Sequence, residues 1–363
     1  MGGSKEENLS SEAILELLRS PLEEWAGSPP EALIPVSLDR RAFSTVLIFK
    51  VLVGGKEHIL VAKKVRHAEV NRHITESENQ AKVEFEVLKE LYGAFEGVKG
   101  CAVPEPVVLL PEEELLVVRY VKGELLTDKL RAARFYSGGR AFSELYAAYN
   151  LAGRWLRRLQ QHTGVRACPS APFKENIIER LKVRGDEISR SGSPLWGDSE
   201  TRALLEKVKV WFREVEGDSL PMAGRHGDYG HWNIIVGGGG ITVIDFLGYR
   251  LEPPLYDPIK VLLGIKALGD NPLVSKKRVK LLGDAFLEGY GLTTDENGVM
   301  GSICEAYHRF SIVYGIVTAV GGSRLDRFAR VRTLKENAAM LRRMIRGEGA
   351  VEGQSLFNPV EWF

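Results

Sequence analysis

Three polar residues between positions 228 and 245 have the types and the spacing to do chemistry. In Arg225-His226-Gly227-Asp228-Tyr229-Gly230-His231-Trp232-Asn233 an aspartate in a glycine-flanked turn is followed five residues later by an asparagine that opens the apolar run Ile234-Ile235-Val236. Gly237 to Gly240 separate that run from Ile241-Thr242-Val243-Ile244, and a second aspartate, Asp245, ends the returning strand. Strand, glycine turn and returning strand would gather two carboxylates and one amide at one end of a hairpin. Phosphoryl transfer needs such a set, because its catalysis is mostly positioning and charge neutralisation. One carboxylate accepts the proton of a hydroxyl, and oxygen ligands hold a magnesium ion that bridges the phosphates of ATP. Asp228 is the candidate base, and Asn233 and Asp245 are the candidate metal ligands. Each alone is an ordinary loop residue; the combination argues for a site.

His226-Gly227-Asp228, Asn233 five residues on, and Ile244-Asp245-Phe246 after an apolar strand together resemble the aminoglycoside phosphotransferase and choline kinase superfamily, which shares the protein-kinase fold. The similarity runs from about residue 43 to 346. It implies an ATP- and magnesium-dependent kinase of a small hydroxyl-bearing acceptor, with the aspartate of Pro254-Leu255-Tyr256-Asp257 bracing the catalytic loop. Phe286-Leu287-Glu288-Gly289-Tyr290-Gly291 is similar to the family's C-terminal helix ending. Val61-Ala62-Lys63-Lys64 resembles the kinase strand that sets an alanine, here Ala62, against adenine and a lysine on the α- and β-phosphates. Alternate strand residues face opposite ways, so only one of the two lysines can reach nucleotide. Lys64 is the expected one, paired with Glu84. In Arg119-Tyr120-Val121 the main chain of Tyr120 and Val121 would read the adenine edge. The family's glycine-rich loop is absent: Asp39-Arg40-Arg41-Ala42-Phe43-Ser44-Thr45 stands in its place, leaving backbone amides and the Ser44 and Thr45 hydroxyls to approach phosphate. Leu247 likewise replaces the glycine after Phe246.

The elements that must position these residues follow from periodicity. Ser10 or Ser11 caps a helix to about Arg19, after which Pro21, Pro29 and Pro30 break regularity. Thr45–Val53 and His58–Val65, joined through Gly54-Gly55, read as a hairpin; a helix spans about Glu78 to Leu91; Val107–Leu110 and Leu115–Val121 are further apolar runs. Helical spacing then governs 140–162, 174–190, 199–216, 257–268, 273–289, 300–320 and 323–346, interrupted only by the strand pair at 233–247. The expected architecture is α+β and protein-kinase-like: a β-rich nucleotide-binding lobe with a helical N-terminal extension over 1–121, a helical lobe with catalytic loop and acceptor site over 122–346, and a tail over 347–363.

Composition narrows the partners. The 49 basic and 48 acidic side chains nearly cancel, so nucleic acid and anionic membranes are not implied. Cys101, Cys168 and Cys304 lack disulfide or zinc spacing, which fits a reducing cytoplasm. Met1 to Asn8 carries no secretory pattern, Glu6 spoils a myristoylation signal at Gly2, and the apolar run Ile312–Val320 is too short to span a bilayer and reads as a buried helix. Gly55-Lys56 is not a Walker loop, and His226 with His231 lacks zincin spacing. Three rivals stay open: a metallohydrolase using His226, Asp228 and His231, a nucleotide-binding module without turnover, and a protein kinase. The last is disfavoured by the short stretch between Asp245 and Pro253-Pro254. Nine basic against three acidic residues between Met300 and Arg346 favour a neutral or anionic acceptor over a polycation, with Tyr307 and His308 as candidates to line the cleft.

Overall fold

The computed structural model describes residues 9–41, 44–65, 79–136, 139–215, 217–271, 274–291, 298–319 and 324–348. Ala42 and Phe43 of the expected phosphate-facing turn, and the tail from 349 onward, lie outside the described residues. The chain separates into two compact units, Met1–Gly123 with Thr242–Gly248, and Glu124–Ile241 with Tyr249–Phe363. The first boundary falls two residues beyond the one expected at 121, and the segment carrying Asp245 belongs to the first unit.

The first unit begins with α1 (Ser11–Ala26), capped by the Ser10 hydroxyl on the Ala13 amide at 3.3 Å and closed by Gly27 at φ 73°. The helix runs straight through Pro21, where the sequence suggested a stop. An interior proline costs about 3 kcal/mol, whereas each buried aliphatic side chain contributes about 1.5–3 kcal/mol. Ile14, Leu15, Leu18 and Leu22 are all buried, so tertiary packing wins. They pack on one face of an antiparallel sheet built from β1 (Ala32–Arg40), β2 (Ser44–Val53), β3 (Lys56–Val65), β5 (Pro106–Leu110) and β6 (Leu115–Arg119), in the order β1-β2-β3-β6-β5. The other side of this sheet meets α2 (Gln80–Phe95), which is followed by the two-residue β4 (Cys101–Ala102). β1 has no sequence signature because it is an exposed edge strand: its burial alternation is weak, and Pro35 sits at a bulge in its register with β2. The β2–β3 turn places Gly54 and Gly55 both at positive φ, as a two-residue loop requires.

The second unit holds β7 (Glu124–Leu125), α3 (Leu126–Tyr136), α4 (Gly139–Thr163), β8 (Arg166–Pro169), α5 (Ala171–Arg190), α6 (Asp198–Glu214), β9 (Ser219–Arg225) and β10 (Ile234–Gly237), and β11 (Gly240–Val243) begins in it and ends in the segment of the first unit. Then come β12 (Arg250–Glu252), α7 (Tyr256–Leu268), α8 (Lys276–Tyr290), α9 (Val299–Thr318) and α10 (Arg324–Arg346). The short strands β8, β9 and β12 form a sheet in the order β12-β9-β8, which helical periodicity alone does not reveal. β9 matters because Arg225 at its end feeds directly into the His226-Gly227-Asp228 turn. Helices α4 and α8 touch backbone to backbone: a Cβ on Gly289 would lie 1.9 Å from the Asn150 carbonyl oxygen, and one on Gly153 2.2 Å from that of Phe286. In α9 the buried stretch is 303–310, while Ile312 to Ala319 is mostly half-buried or exposed, contrary to the expected buried helix there. Among the described residues no helix is long and apolar enough to cross a membrane.

Candidate active site

In the first unit the chemistry centres on Lys63. Its ammonium lies 2.8 Å from Glu84 Oε2, 3.1 Å from Oε1, and 2.8 Å from Asp245 Oδ1. Glu84 is buried on α2 and also accepts the Phe246 amide at 3.2 Å, which ties the chain after Asp245 to the helix. Burial alone would lower the Lys63 pKa, but Asp245 and Glu84 outweigh it and hold the ammonium charged. Burial raises Glu84 above the usual carboxylate range, and the nearby Asp245 charge reinforces that shift against the opposing pull of Lys63. Asp245 itself sits at φ 70°, a left-handed conformation rare outside glycine, two residues past the end of β11. Asp245 therefore stands in a strained turn and not at a strand end, where the sequence pattern put it.

This arrangement corrects two expectations. Lys64 does not meet Glu84; its ammonium donates to the Glu113 carbonyl at 2.6 Å and lies 3.3 Å from the Glu113 carboxylate. Ala62 shares the face of Lys64, is 1% exposed, and packs in the core with Leu47, Leu60 and Val117. The reason is strand alternation: Lys63 and Val61 project together, one residue out of phase with Ala62 and Lys64. Across the sheet the Lys63 face carries the row Ile48-Val61-Val118, half-buried and apolar, beside the row Val46-Lys63-Leu116. Ser44 lies two residues before Val46 on the same face and is buried. Tyr120 is partly exposed and spends its amide on the Ile59 carbonyl at 3.0 Å, so of the two hinge amides only that of Val121 is left for a ligand to approach.

In the second unit the loop around Asp228 is held from below by Asp257. This buried carboxylate accepts the His226 amide at 2.6 Å and the Gly227 amide at 3.3 Å, which is the bracing the resemblance implied. The start of α7 that carries Asp257 is itself anchored: Gln160 donates to the Pro254 carbonyl at 2.7 Å, and the Tyr290 hydroxyl donates to Gln160 at 2.6 Å. The matched ending of α8 thus reaches the catalytic loop through Gln160. His226 is fully buried, edge-on to Trp155 and Tyr229, and its Nδ1 accepts the Asp228 amide at 3.3 Å. It is a structural residue. Among the described residues no group of three His, Cys, Asp or Glu side chains is placed to hold a metal.

Asp228 carries the half-exposed carboxylate that this frame presents. Lys260 approaches Oδ1 at 2.5 Å, while the Trp232 indole N–H at 2.9 Å and the Asn233 amide at 3.0 Å both donate to Oδ2. The Lys260 ammonium also lies 5.4 Å from the Trp232 ring centre. Lys260 and Trp232 were not singled out from sequence. Lys260 falls one turn after Asp257 on α7, a spacing that puts both on the loop-facing side, and this was its available signal. Asn233 opens β10, and Gly238 and Gly239, both at positive φ, turn the chain into β11. Because Asn233 spends its amide nitrogen on Asp228, its Oδ1 remains for a hard cation. An amide oxygen and a carboxylate are the donor types magnesium takes, so Asn233 and Asp245 fit that ion chemically.

Fold comparison gives 18% identity and a TM-score of 0.55 with a glucosamine kinase in complex with glucosamine, ADP and inorganic phosphate, over 90% of this chain and 86% of that one. Glucosamine kinase in its crystal form B gives 14% and 0.52, over 86% of this chain and 95% of that one. A thermostable mutant of aminoglycoside phosphotransferase APH(4)-Ia, in ternary complex with AMP-PNP and hygromycin B, gives 15% and 0.51, over 92% and 99%. No curated protein sequence matches the chain. The family described as "Phosphotransferase enzyme family" (APH) matches residues 53–297, most of both units, and the chain therefore belongs to that family and has its α+β, kinase-like fold.

Proposed function

We propose that this phosphotransferase moves the γ-phosphoryl group of ATP to a hydroxyl of a small acceptor, with Asp228 as the base. The carrying observation is that the Asp228 side chain is about half exposed (50%) and yet fixed by three donors, so it is both oriented and reachable. In the proposed reaction Asp228 takes the acceptor's hydroxyl proton as that oxygen bonds to the γ-phosphorus; the bond from the γ-phosphorus to the β,γ-bridging oxygen breaks, and ADP leaves with that electron pair. Asn233 and Asp245 would be the residues to hold a magnesium ion, which would supply charge neutralisation at the phosphates. Lys63, kept charged by its two carboxylates, takes the role first given to Lys64, and Glu84 keeps it aimed. Ser44 stands on the same sheet face as Lys63, and the apolar row Ile48-Val61-Val118 offers the flat contact for adenine first assigned to Ala62, with Tyr120 and Val121 at its edge.

The test is transfer of labelled phosphate from ATP to a panel of sugars, polyols, amino alcohols and aminoglycosides, followed by Asp228→Ala. The variant should lose about 10²–10⁴-fold in kcat while still binding ATP. Full turnover in Asp228→Ala would sink the assignment.

A further inference from the structure

The second unit also concentrates guanidinium groups around two buried tyrosines, on the very segments that hold Asp228. Arg225 directly precedes His226, and Tyr256 directly precedes Asp257; the Arg225 guanidinium lies 4.2 Å over the Tyr256 ring. Arg225 and Arg250 share one carboxylate, Glu252, at 2.7 Å each. From α5, Arg180 donates to the Tyr307 hydroxyl at 3.2 Å, and Arg184, one turn on, donates to the Ser311 hydroxyl at 2.5 Å. The Arg184 guanidinium is 5.4 Å from the Tyr307 ring and 5.3 Å from the Tyr314 ring, and no carboxylate stands within ion-pair distance of it among the described residues. Arg184 thus meets hydroxyl and aromatic groups rather than a carboxylate.

A second observation points to a ligand. His308 is buried against Tyr256, ring centres 4.3 Å apart, and its Nε2 has no hydrogen-bond partner. Burial, then the charges of Lys260 and Arg225, hold this imidazole well below its ordinary pKa, while its other side bonds to the Tyr256 main chain. It is therefore neutral, with a lone pair on Nε2 that wants a donor, and it feels Lys260, the residue that positions Asp228. Tyr307 reports the same field. Burial would raise its hydroxyl, yet Arg184 and Arg180 outweigh that and bring it down to about 7. A buried acceptor atom without a donor is destabilising, and guanidiniums near one another repel. An oxyanion bearing a neighbouring hydroxyl would relieve both.

We propose that Arg180, Arg184 and Tyr307, together with His308, form the acceptor subsite, and that the acceptor is a hydroxyl compound carrying an oxyanion group, a carboxylate or a phosphate. The guanidiniums bind the oxyanion and His308 Nε2 accepts a hydrogen bond from a hydroxyl. This rests on the kinase reading, but it predicts binding that is measurable without turnover. Four probes that differ mainly in charge separate the cases: glucosamine, glucose, gluconate and glucose 6-phosphate. Calorimetric titration of the full chain with each, without nucleotide, should show gluconate or glucose 6-phosphate binding at least tenfold tighter than glucose, and glucosamine weakest. Whichever anion binds better names the source of the oxyanion. Arg184→Gln should weaken the anion by about 10–100-fold, and Arg184→Lys by less. Should Arg184→Gln fail to fold, the charge ranking of the unaltered protein decides alone. The proposal is overturned if neither anion binds, if glucosamine or glucose binds as tightly, or if a folded Arg184→Gln binds the anion unchanged. Anion binding lost in Arg184→Gln without transfer to any acceptor would keep the subsite and defeat the kinase reading. Transfer to glucose or glucosamine, indifferent to Arg184, would do the reverse.

Discussion

Lys63 and Lys260 each hold a partly exposed aspartate at hydrogen-bond distance, and they differ in what stands behind the lysine. Lys63 is 14% exposed between a Glu84 side chain that is 3% exposed and an Asp245 side chain that is 39% exposed, so one largely buried cation joins a dry carboxylate to a solvated one. Lys260 serves one carboxylate, Asp228, whose side chain is half in solvent and whose other oxygen is taken by neutral donors. The first arrangement suits a group that must stay charged and still while phosphates are placed. The second suits a carboxylate that must meet an incoming hydroxyl and take its proton. Burial sets the energetic scale as well: removing one partner from a buried charge pair costs about 2–5 kcal/mol, whereas a half-exposed pair is worth far less because water screens it.

That contrast can be broken most sharply at the paired lysines of β3. Lys63→Met should lower kcat/KM for ATP by about 10²–10³-fold, the scale of a lost buried charge partner. Lys64→Met, which gives up only contacts to Glu113, should stay within about twofold, the scale of an exposed pair. Steady-state kinetics on the two variants decides it, and equal losses would mean that strand alternation has been read on the wrong phase.

A smaller effect is expected at the exposed pair. Lys260→Met should reduce kcat by about 10-fold, from one lost charge-assisted hydrogen bond, with KM for ATP nearly unchanged. A change confined to KM for ATP would place Lys260 with the nucleotide instead of the base. Smaller still is Gly230→Ala. The Gly230 backbone is extended (φ −173°), so alanine fits its conformation, but the new Cβ would fall 2.6 Å from the Trp232 ring. Trp232 is 40% exposed and can swing away, at the cost of its bond to Asp228. A loss of a few-fold in kcat, with Trp232→Phe giving the same loss, would show that the indole orients the base.

What sequence revealed divides along the same line. The Asp228 segment was legible because its residues are consecutive and their spacing is the signal: Asn233 bonds Asp228, Asp257 braces the turn before it, and seven long helices of the second unit appeared within a few residues. Lys63 was not legible, because choosing between adjacent lysines requires the phase of β3, and both residues flank apolar positions that look alike. Val61 was hidden for the same reason, behind an alanine that matched the motif and turned into the core. α1 was cut short at Pro21, since a proline rule knows nothing of four leucine and isoleucine side chains waiting for a sheet. Short strands such as β8, β9 and β12 carry too few residues for any periodicity to register.

Lys266 supplies the control for Lys63: it too sits in a partly buried cluster of a lysine and acidic side chains, and it has no part in the proposed chemistry. Lys266 on α7 lies 2.9 Å from Glu336 on α10, and Asp270 stands beside them, accepting the Thr333 hydroxyl at 2.7 Å. Burial first, and the neighbouring Glu336 charge after it, push the Asp270 carboxyl up from 3.8 to about 6, partly opposed by the Thr333 bond. A carboxyl whose pKa is higher folded than unfolded holds its proton longer in the folded chain. Between about pH 4 and 6 the folded state therefore binds more protons than the unfolded one, and stability from this group falls as pH rises through that window. Asp270→Asn keeps an acceptor for Thr333 and removes the titration. Relative to wild type, the variant should gain stability from pH 4 to 6 and hold that gain at pH 7, with phosphoryl transfer unchanged. Urea midpoints at pH 4, 5, 6 and 7 measure it. If the two midpoints run parallel across that range, Asp270 ionises normally; if transfer falls instead, this cluster is no control, and a partly buried lysine–carboxylate cluster marks function at this site too.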